Sequence, residues 1–130
     1  MRWPRCFVPF IVLLAVGCGK ESTPQLIEKL KAKDALTRVQ AVRTLPERKD
    51  DAEQVVPALI EALQDEEGQV RKSAALGLGS FGEQAKSAIP ALLKAQKDRE
   101  ADVRRAASIA LSRIDAKFPN PSQPKSRRGK

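Results

Sequence analysis

The feature that most limits what this chain can fold into is a pattern that returns every 33 residues. Segments 24–30 (PQLIEKL), 57–63 (PALIEAL) and 90–96 (PALLKAQ) start at that interval with no insertion between them. A fixed period of this length is typical of repeat proteins, in which each unit buries its apolar face only by stacking on its neighbours. The same interval separates four further sets downstream: Thr37, Val70 and Val103; Arg38, Arg71 and Arg104; Ala41, Ala74 and Ala107; Leu45, Leu78 and Leu111.

Each unit carries two apolar stripes with helical spacing, which predicts two helices per unit. In the second unit the stripes are Leu59, Ile60 and Leu63, followed by Val70, Ala74 and Leu78. The acidic segment 65–67 and Gly68 separate the two helices. These acids also place negative charge at the start of the second helix, where the helix dipole favours it. Pro46 and Gly82 are expected to end second helices.

Two of the three units match a specific pattern. The sequence P-x7-D-x4-V-R, found at 57–71 and 90–104, resembles HEAT repeats, especially the short bacterial type also found in phycobilisome lyases. The resemblance implies an all-α fold, a short right-handed α-solenoid of three helix-turn-helix repeats. The first unit departs from the pattern at Ala32 and Thr37, as terminal caps of solenoids often do. We place the three units at 23–55, 56–88 and 89–116.

The first residues predict an export signal. Segment 1–17 combines two arginines, an apolar stretch at 6–16 and small residues before Cys18, as a secretory signal peptide does. The apolar stretch is too short to span a membrane, which takes about 20 residues. Segment 14–18 (LAVGC) resembles the lipobox of bacterial lipoproteins, which implies a lipidated Cys18 at the start of a linker, 18–22. An ordinary signal peptide cut before a free Cys18 is the alternative.

The lipoprotein resemblance also implies a location. Gly19 follows Cys18, whereas an Asp at that position is associated with retention in the inner membrane. We therefore expect a lipid-anchored protein of the cell envelope, on the periplasmic side, and in the outer membrane where the host has one.

The residue types needed for most catalysis are missing from the chain. It has no His and no Tyr, and its two cysteines are Cys6, in the predicted signal, and Cys18. Structural zinc normally takes four Cys or His ligands, and a Ser or Cys nucleophile normally needs a His base. The acidic clusters at 50–51 and 65–67 lack the spacing of an EF-hand calcium loop and are expected to cap helices. We predict no enzymatic activity, no cofactor and no metal.

The net charge of +8 is unevenly distributed. Segment 20–116 holds 17 basic and 16 acidic residues, whereas segment 117–130 holds five basic residues and no acid. The prolines, polar residues and like charges of 117–130 predict a disordered tail. The tail is either a solubilising linker or a binder of anionic envelope polymers. Aromatic residues that stack on bases are nearly absent from it, which argues against nucleic acid.

The arginines Arg38, Arg71 and Arg104 form the most regular polar pattern of the chain. Asp34, Glu67 and Glu100 lie four residues before each of them, which predicts ion pairs within each second helix. The HEAT resemblance implies that Asp65 with Arg71, and Asp98 with Arg104, form a structural ladder of hydrogen bonds between stacked repeats. The alternative is a basic groove that binds phosphate or carboxylate groups.

A second basic set, Lys72 and Arg105 at matching positions and Arg43 one turn further along, is the candidate surface for a partner. Solenoids commonly bind partners on one curved face, although these residues also fit an ordinary solvated helix face. We predict a non-catalytic, membrane-anchored scaffold for protein–protein interaction. Two alternatives stay open: an accessory subunit resembling HEAT-type bilin lyases, and an electrostatic tether that binds anionic polymers through its tail.

Overall fold

The protein is all-helical over residues 19–121, the part that this computed structural model describes. Segment 1–18, with the predicted signal and Cys18, and most of the tail, 122–130, lie outside the described residues. No strand occurs between residues 19 and 121, and the predicted all-α fold is confirmed. The α-helices are α1 (Thr23–Lys29), α2 (Ala35–Thr44), α3 (Ala52–Ala62), α4 (Gly68–Ser80), α5 (Ile89–Ala95) and α6 (Ala101–Ile114). Short 3-10 helices span Leu45–Glu47, Lys49–Asp51 and Gly82–Ala88.

Local sequence signals set the helix ends. The Asp34 carboxylate accepts the backbone N–H of Thr37 at 2.9 Å and so caps the start of α2. Pro46 follows the end of α2, where a proline cannot continue the helical hydrogen-bond ladder. Gly82 lies just beyond α4 with a φ of 55°, a left-handed conformation that favours glycine. The expected ends of these two second helices are therefore observed.

The second helices α2, α4 and α6 pack side by side, with α4 in the middle. Small residues bring them close together. A Cβ atom added to Gly79 would lie 2.9 Å from the Cα atom of Ala110 in α6. A Cβ atom added to Gly77 would lie 2.8 Å from Cγ of Pro46, on the other side of α4. Gly77 and Gly79 are thus required by the close approach of both neighbouring elements.

The core runs continuously through the three units. Leu45, Leu78 and Leu111, which share one position of the 33-residue pattern, are all fully buried. The other large side chains that are fully buried are Val42, Val55, Leu59, Val70, Leu92 and Val103. Every unit contributes to this core, because no helix pair can bury its apolar face alone. The molecule is a short α-solenoid, as the period predicts.

The first helices differ in length. The helix α3 begins at Ala52, so it starts four residues before the unit boundary that the sequence predicts at 55/56. Pro57 consequently lies inside α3, whereas the matching prolines Pro24 and Pro90 lie in the first turns of α1 and α5. The repeats are therefore regular in their second helices and less regular in their first.

Candidate functional site

Two arginines of the second helices are buried and bind aspartates of the next unit. The Nε and Nη2 atoms of Arg38 donate to Asp65 at 2.8 and 3.1 Å. In the same geometry, Nε and Nη2 of Arg71 donate to Asp98 at 2.8 and 3.0 Å. Both arginines are only about 5 % exposed. A bidentate pair of this kind holds the guanidinium plane and the carboxylate in one relative orientation. These contacts join the first unit to the second and the second to the third.

The remaining edge of each guanidinium is held by its own unit. Nη1 of Arg71 donates to the backbone carbonyls of Asp65 and Glu66 at 2.8 and 3.0 Å, in the turn before α4. These carbonyls lie in the turn and accept no backbone hydrogen bond from residues 19–121, so the arginine supplies donors that the backbone does not. The carbonyl of Glu66 also accepts from Nη2 of Arg99 at 2.9 Å. The matching arginines do the same: Arg38 donates to Ala32 and Lys33, and Arg104 donates to Asp98 and Arg99.

The prediction of ion pairs within the second helices is wrong. Arg71 forms no ion pair with Glu67, and its carboxylate partners are Asp98 and Glu100 of the following unit. Glu67 is the residue that precedes the first turn of α4, so it occupies a capping position and not a point on the helix side. Asp34 likewise caps α2 instead of pairing with Arg38.

The ladder also runs in a different register from the pairs that the resemblance implied. The carboxylate of Asp65 binds Arg38 of the preceding unit, while its backbone carbonyl binds Arg71. The carboxylate of Asp98 binds Arg71, and only its carbonyl binds Arg104. Each aspartate therefore connects two arginines, one through its side chain and one through its backbone.

The buried pairs shift the protonation equilibria of their members. The hydrogen bond to Asp65 raises the pKa of Arg38, and the hydrogen bond to Asp98 raises the pKa of Arg71. The same bond from Arg71 lowers the pKa of Asp98, and burial partly opposes this effect. Both groups are consequently charged at neutral pH.

Arg104 has the same backbone anchor but a different environment. It is exposed, and among the described residues no carboxylate lies within ion-pair distance of it. No fourth unit follows α6 within residues 19–121, so the position taken by Asp65 and Asp98 in the other two junctions has no counterpart there.

The candidate partner-binding residues lie on one exposed face of the second helices. This second-helix surface is formed by Leu36 and Arg43 of α2, Lys72 and Leu76 of α4, and Arg105 of α6, whose spacing places them on matching helix faces. A cleft of about 260 Å³ lies between α2 and α4 on this surface. Its lining combines Arg43 with apolar or small residues, namely Val42, Pro46, Ser73, Leu76, Gly77 and Ser80.

The charges of the second-helix surface are only partly compensated. Nζ of Lys72 pairs with Asp102 of α6 at 3.0 Å, and this hydrogen bond lowers the pKa of Asp102. Within residues 19–121, Arg43 and Arg105 have no ion-pair partner. Leu36 and Leu76 are exposed at 71 % and 37 %. The surface therefore offers apolar area together with two cations that form no ion pair among residues 19–121.

Among residues 19–121, no three His, Cys, Asp or Glu side chains are grouped in a way that would hold a metal ion. No helix in that range is long and apolar enough to cross a bilayer. The contact between Lys49 and Phe81 was not predicted from the sequence. Nζ of Lys49 lies 4.3 Å from the ring centre of Phe81 and connects the segment between the first two units to the end of α4.

The stacked helix pairs and their arginine–aspartate junctions define a helical-repeat protein of the solenoid class. The family model described as HEAT repeats matches residues 23–112, and the chain belongs to this family. A solved chain from "The structure of the complex of CpcE and CpcF of phycocyanin lyase from Nostoc sp. PCC7120" is similar, with 26 % identity and a TM-score of 0.66. The match covers 82 % of this chain but only 42 % of that one. No curated protein sequence matches.

Proposed function

We propose that this protein is a binding module that associates with another protein through its second-helix surface. The observation that carries the proposal is the cleft between α2 and α4, where Leu76 is exposed beside Arg43, a cation without an ion-pair partner in the described part of the chain. Arginine is one of the residue types enriched at interface centres, where it lies among apolar side chains. A partner segment with a carboxylate beside an apolar side chain fits this cleft.

A second cleft offers the main alternative surface. It measures about 520 Å³, lies between α3 and α5, and carries Lys94 on its lining, with Leu93 exposed at 40 % nearby. Photo-crosslinking distinguishes the two surfaces. A crosslinking amino acid placed at Ser73 of the α2/α4 cleft should capture a partner in envelope extracts, whereas one placed at Lys94 should not. Capture from Lys94 alone would contradict the proposal.

We also propose that the module is held at a membrane by a lipid on Cys18. The support is the lipobox-like segment 14–18, which lies outside the described residues. Attachment through lipid needs no membrane-spanning helix, and lipoproteins carry more than one acyl chain because a single chain binds only marginally. This anchor would place the second-helix surface on the periplasmic side of the envelope.

An accessory role in a lyase-like assembly is the second candidate. It is supported by the similarity to a chain from the complex of CpcE and CpcF of phycocyanin lyase, a protein that assembles from two different subunits. The chain has no His and no Tyr, and its only Cys beyond the predicted signal is Cys18. A bilin titration followed by absorbance tests this role: a saturable spectral shift supports it, and an unchanged bilin spectrum supports the scaffold.

The basic tail supplies the third candidate, an electrostatic tether to anionic polymers. Segment 117–130 carries five basic residues and no acid. Binding that neutralises several charges weakens as salt rises. Removal of residues 119–130 should therefore abolish any salt-sensitive polyanion binding but leave capture by the α2/α4 cleft intact. Loss of both by the truncated chain would favour the tether over the scaffold.

A further inference from the structure

The guanidinium of Arg104, in the last unit, is anchored in the same way as those that bind aspartates in the other two units. Nη1 of Arg104 donates to the carbonyls of Asp98 and Arg99 at 2.7 and 3.1 Å, the same anchor that orients Arg71 in the preceding unit. The other edge of the Arg71 guanidinium, formed by Nε and Nη2, binds the carboxylate of Asp98. The Nε and Nη2 atoms of Arg104 bind no carboxylate among residues 19–121. The guanidinium is thus oriented for a bidentate partner that the described chain does not supply.

The helix face around Arg104 is suited to close approach by another helix. Ser108 and Ser112 of α6 occupy the positions that Ala75 and Gly79 occupy in α4, where α6 packs. Both serine hydroxyls donate within α6, to the carbonyls of Arg104 and Ile109, at 3.1 and 2.8 Å. Covering this face would therefore bury no unsatisfied hydroxyl donor. In the free protein the serines keep the face polar, as the exposed ends of solenoids need to be.

The first unit lacks an aspartate at the position of Asp65 and Asp98. Ala32 occupies this position. The two turns begin and end with similar backbone angles: ψ is −20° at Leu30 and −15° at Leu63, and 121° at both Asp34 and Glu67. Each turn also accepts two hydrogen bonds from the arginine of its own unit through matching carbonyls. The first turn therefore has the right shape for a ladder contact but no carboxylate at the position that binds arginine.

We propose that the Arg104 end binds an aspartate-bearing inter-helix turn of a different HEAT-type protein, and that Ala32 prevents the same contact between two copies of this chain. This site is separate from the second-helix surface and does not depend on it. The tail residues 122–130 include no Asp or Glu, so their side chains offer no competing carboxylate. Interfaces that discriminate against an unwanted partner, as in coiled-coil pairing, leave charged or polar groups unpaired in the wrong complex.

The experiment uses two versions of the chain from residue 19 onward, which contains every described residue. The donor carries Ala32→Asp and Arg104→Ala, so that it presents the missing aspartate but cannot stack on itself. The acceptor is the unmodified chain. Sedimentation velocity of the mixture should show a one-to-one complex. An Arg104→Ala acceptor should bind the donor about tenfold or more weakly, as expected when a hydrogen bond to a charged group is lost.

Three controls make the result decisive. A donor with Arg104→Ala alone, which keeps Ala32, should not bind. The single variant Ala32→Asp should associate with itself in a concentration-dependent way. Arg104→Lys keeps the positive charge but cannot form two parallel hydrogen bonds to one carboxylate, so this variant should fold normally and bind weakly. The proposal is overturned if the donor fails to bind the unmodified chain, or if it binds the Arg104→Ala acceptor equally well while circular dichroism shows all variants folded.

Discussion

Arg71 of the second unit and Asp98 of the third are joined by two parallel hydrogen bonds, Nε to Oδ2 at 2.8 Å and Nη2 to Oδ1 at 3.0 Å. The side chains are only 6 % and 12 % exposed, so water competes little for either partner. The same arginine also closes the turn before its own helix through the carbonyls of Asp65 and Glu66. One side chain therefore links the fold within a unit to the stacking between units.

Arg71→Ala should destabilise the solenoid. It removes the partner of a largely buried carboxylate and the hydrogen bond to the turn carbonyl of Asp65, whereas the carbonyl of Glu66 keeps its bond from Arg99. The expected cost is about 1 to 3 kcal/mol. For a domain of this size, Tm should fall by about 4 to 8 °C per kcal/mol. Thermal and urea unfolding followed by circular dichroism measure the effect.

Two variants serve as controls for Arg71→Ala. Lys72→Ala removes an exposed pair with Asp102 and should stay within about 0.5 kcal/mol of the unmodified protein. Arg104→Ala removes the same residue type with the same backbone anchor but no inter-unit carboxylate, so its effect should be smaller than that of Arg71→Ala. Normal melting of Arg71→Ala together with loss of a captured partner would show that the ladder is a binding site.

The stability of the repeat junction should depend on pH in the acid range. Arg71 lowers the pKa of Asp98 below its ordinary value of 3.8. A carboxyl whose folded pKa is lowered stabilises the fold fully above the ordinary value, and this contribution is lost as pH falls through 3.8 towards the folded pKa. The difference in unfolding free energy between the unmodified protein and Asp98→Asn should therefore shrink between pH 6 and pH 3. An equal difference at both pH values would contradict this role.

Gly79→Ala should destabilise the protein even though alanine is the better helix former. Helix propensity alone predicts a gain of about 1 kcal/mol. The added Cβ would, however, lie 2.9 Å from the Cα atom of Ala110 and force α4 away from α6, a strain of about 1 to 3 kcal/mol. Gly68→Ala is the comparison, because the three atoms nearest its Cβ all belong to the flexible end of the Glu100 side chain. A higher Tm for Gly79→Ala would mean that the two helices are not closely packed.

Cys18→Ser should move the protein out of the membrane fraction. The proposed acyl chains are attached through the Cys18 sulfur, and without them nothing in residues 19–121 is long and apolar enough to replace the anchor by spanning the bilayer. Fractionation and metabolic labelling with a fatty acid measure the change. Unchanged membrane association and processing would favour an ordinary signal peptide or a different anchor.

The architecture was predictable from the sequence because the 33-residue period is a property of the chain itself. The positions shared by Leu45, Leu78 and Leu111 repeat without gaps, so the core could be assigned before any contact was known. The 3-10 helices and the early start of α3 at Ala52 were not predicted, since they fall in segments where the three units differ. Secondary structure could be predicted where the apolar residues follow a regular period, and it could not be predicted in segments that lack one.

The partners of the arginines were harder to predict. Spacing along one helix suggested Glu67 for Arg71, but the observed carboxylates of Asp98 and Glu100 come from the next unit. Sequence spacing shows which residues share a helix face and says little about which turn of a neighbouring unit lies beside them. Arg71 and Arg104 share the same P-x7-D-x4-V-R pattern, yet only Arg71 is buried against a carboxylate of a following unit.

The role of the second-helix surface is tested most directly by the dissociation constant of the partner captured from position 73. Calorimetry should compare the unmodified chain with Arg43→Glu, which reverses a cation of the α2/α4 cleft that lacks an ion pair in the described residues. We expect Arg43→Glu to weaken binding by about tenfold or more, as like charges at an interface do, with Tm unchanged. Lys94→Glu, in the other cleft, should bind normally. Unchanged affinity of Arg43→Glu, or a selective loss in Lys94→Glu, would contradict binding through the second helices.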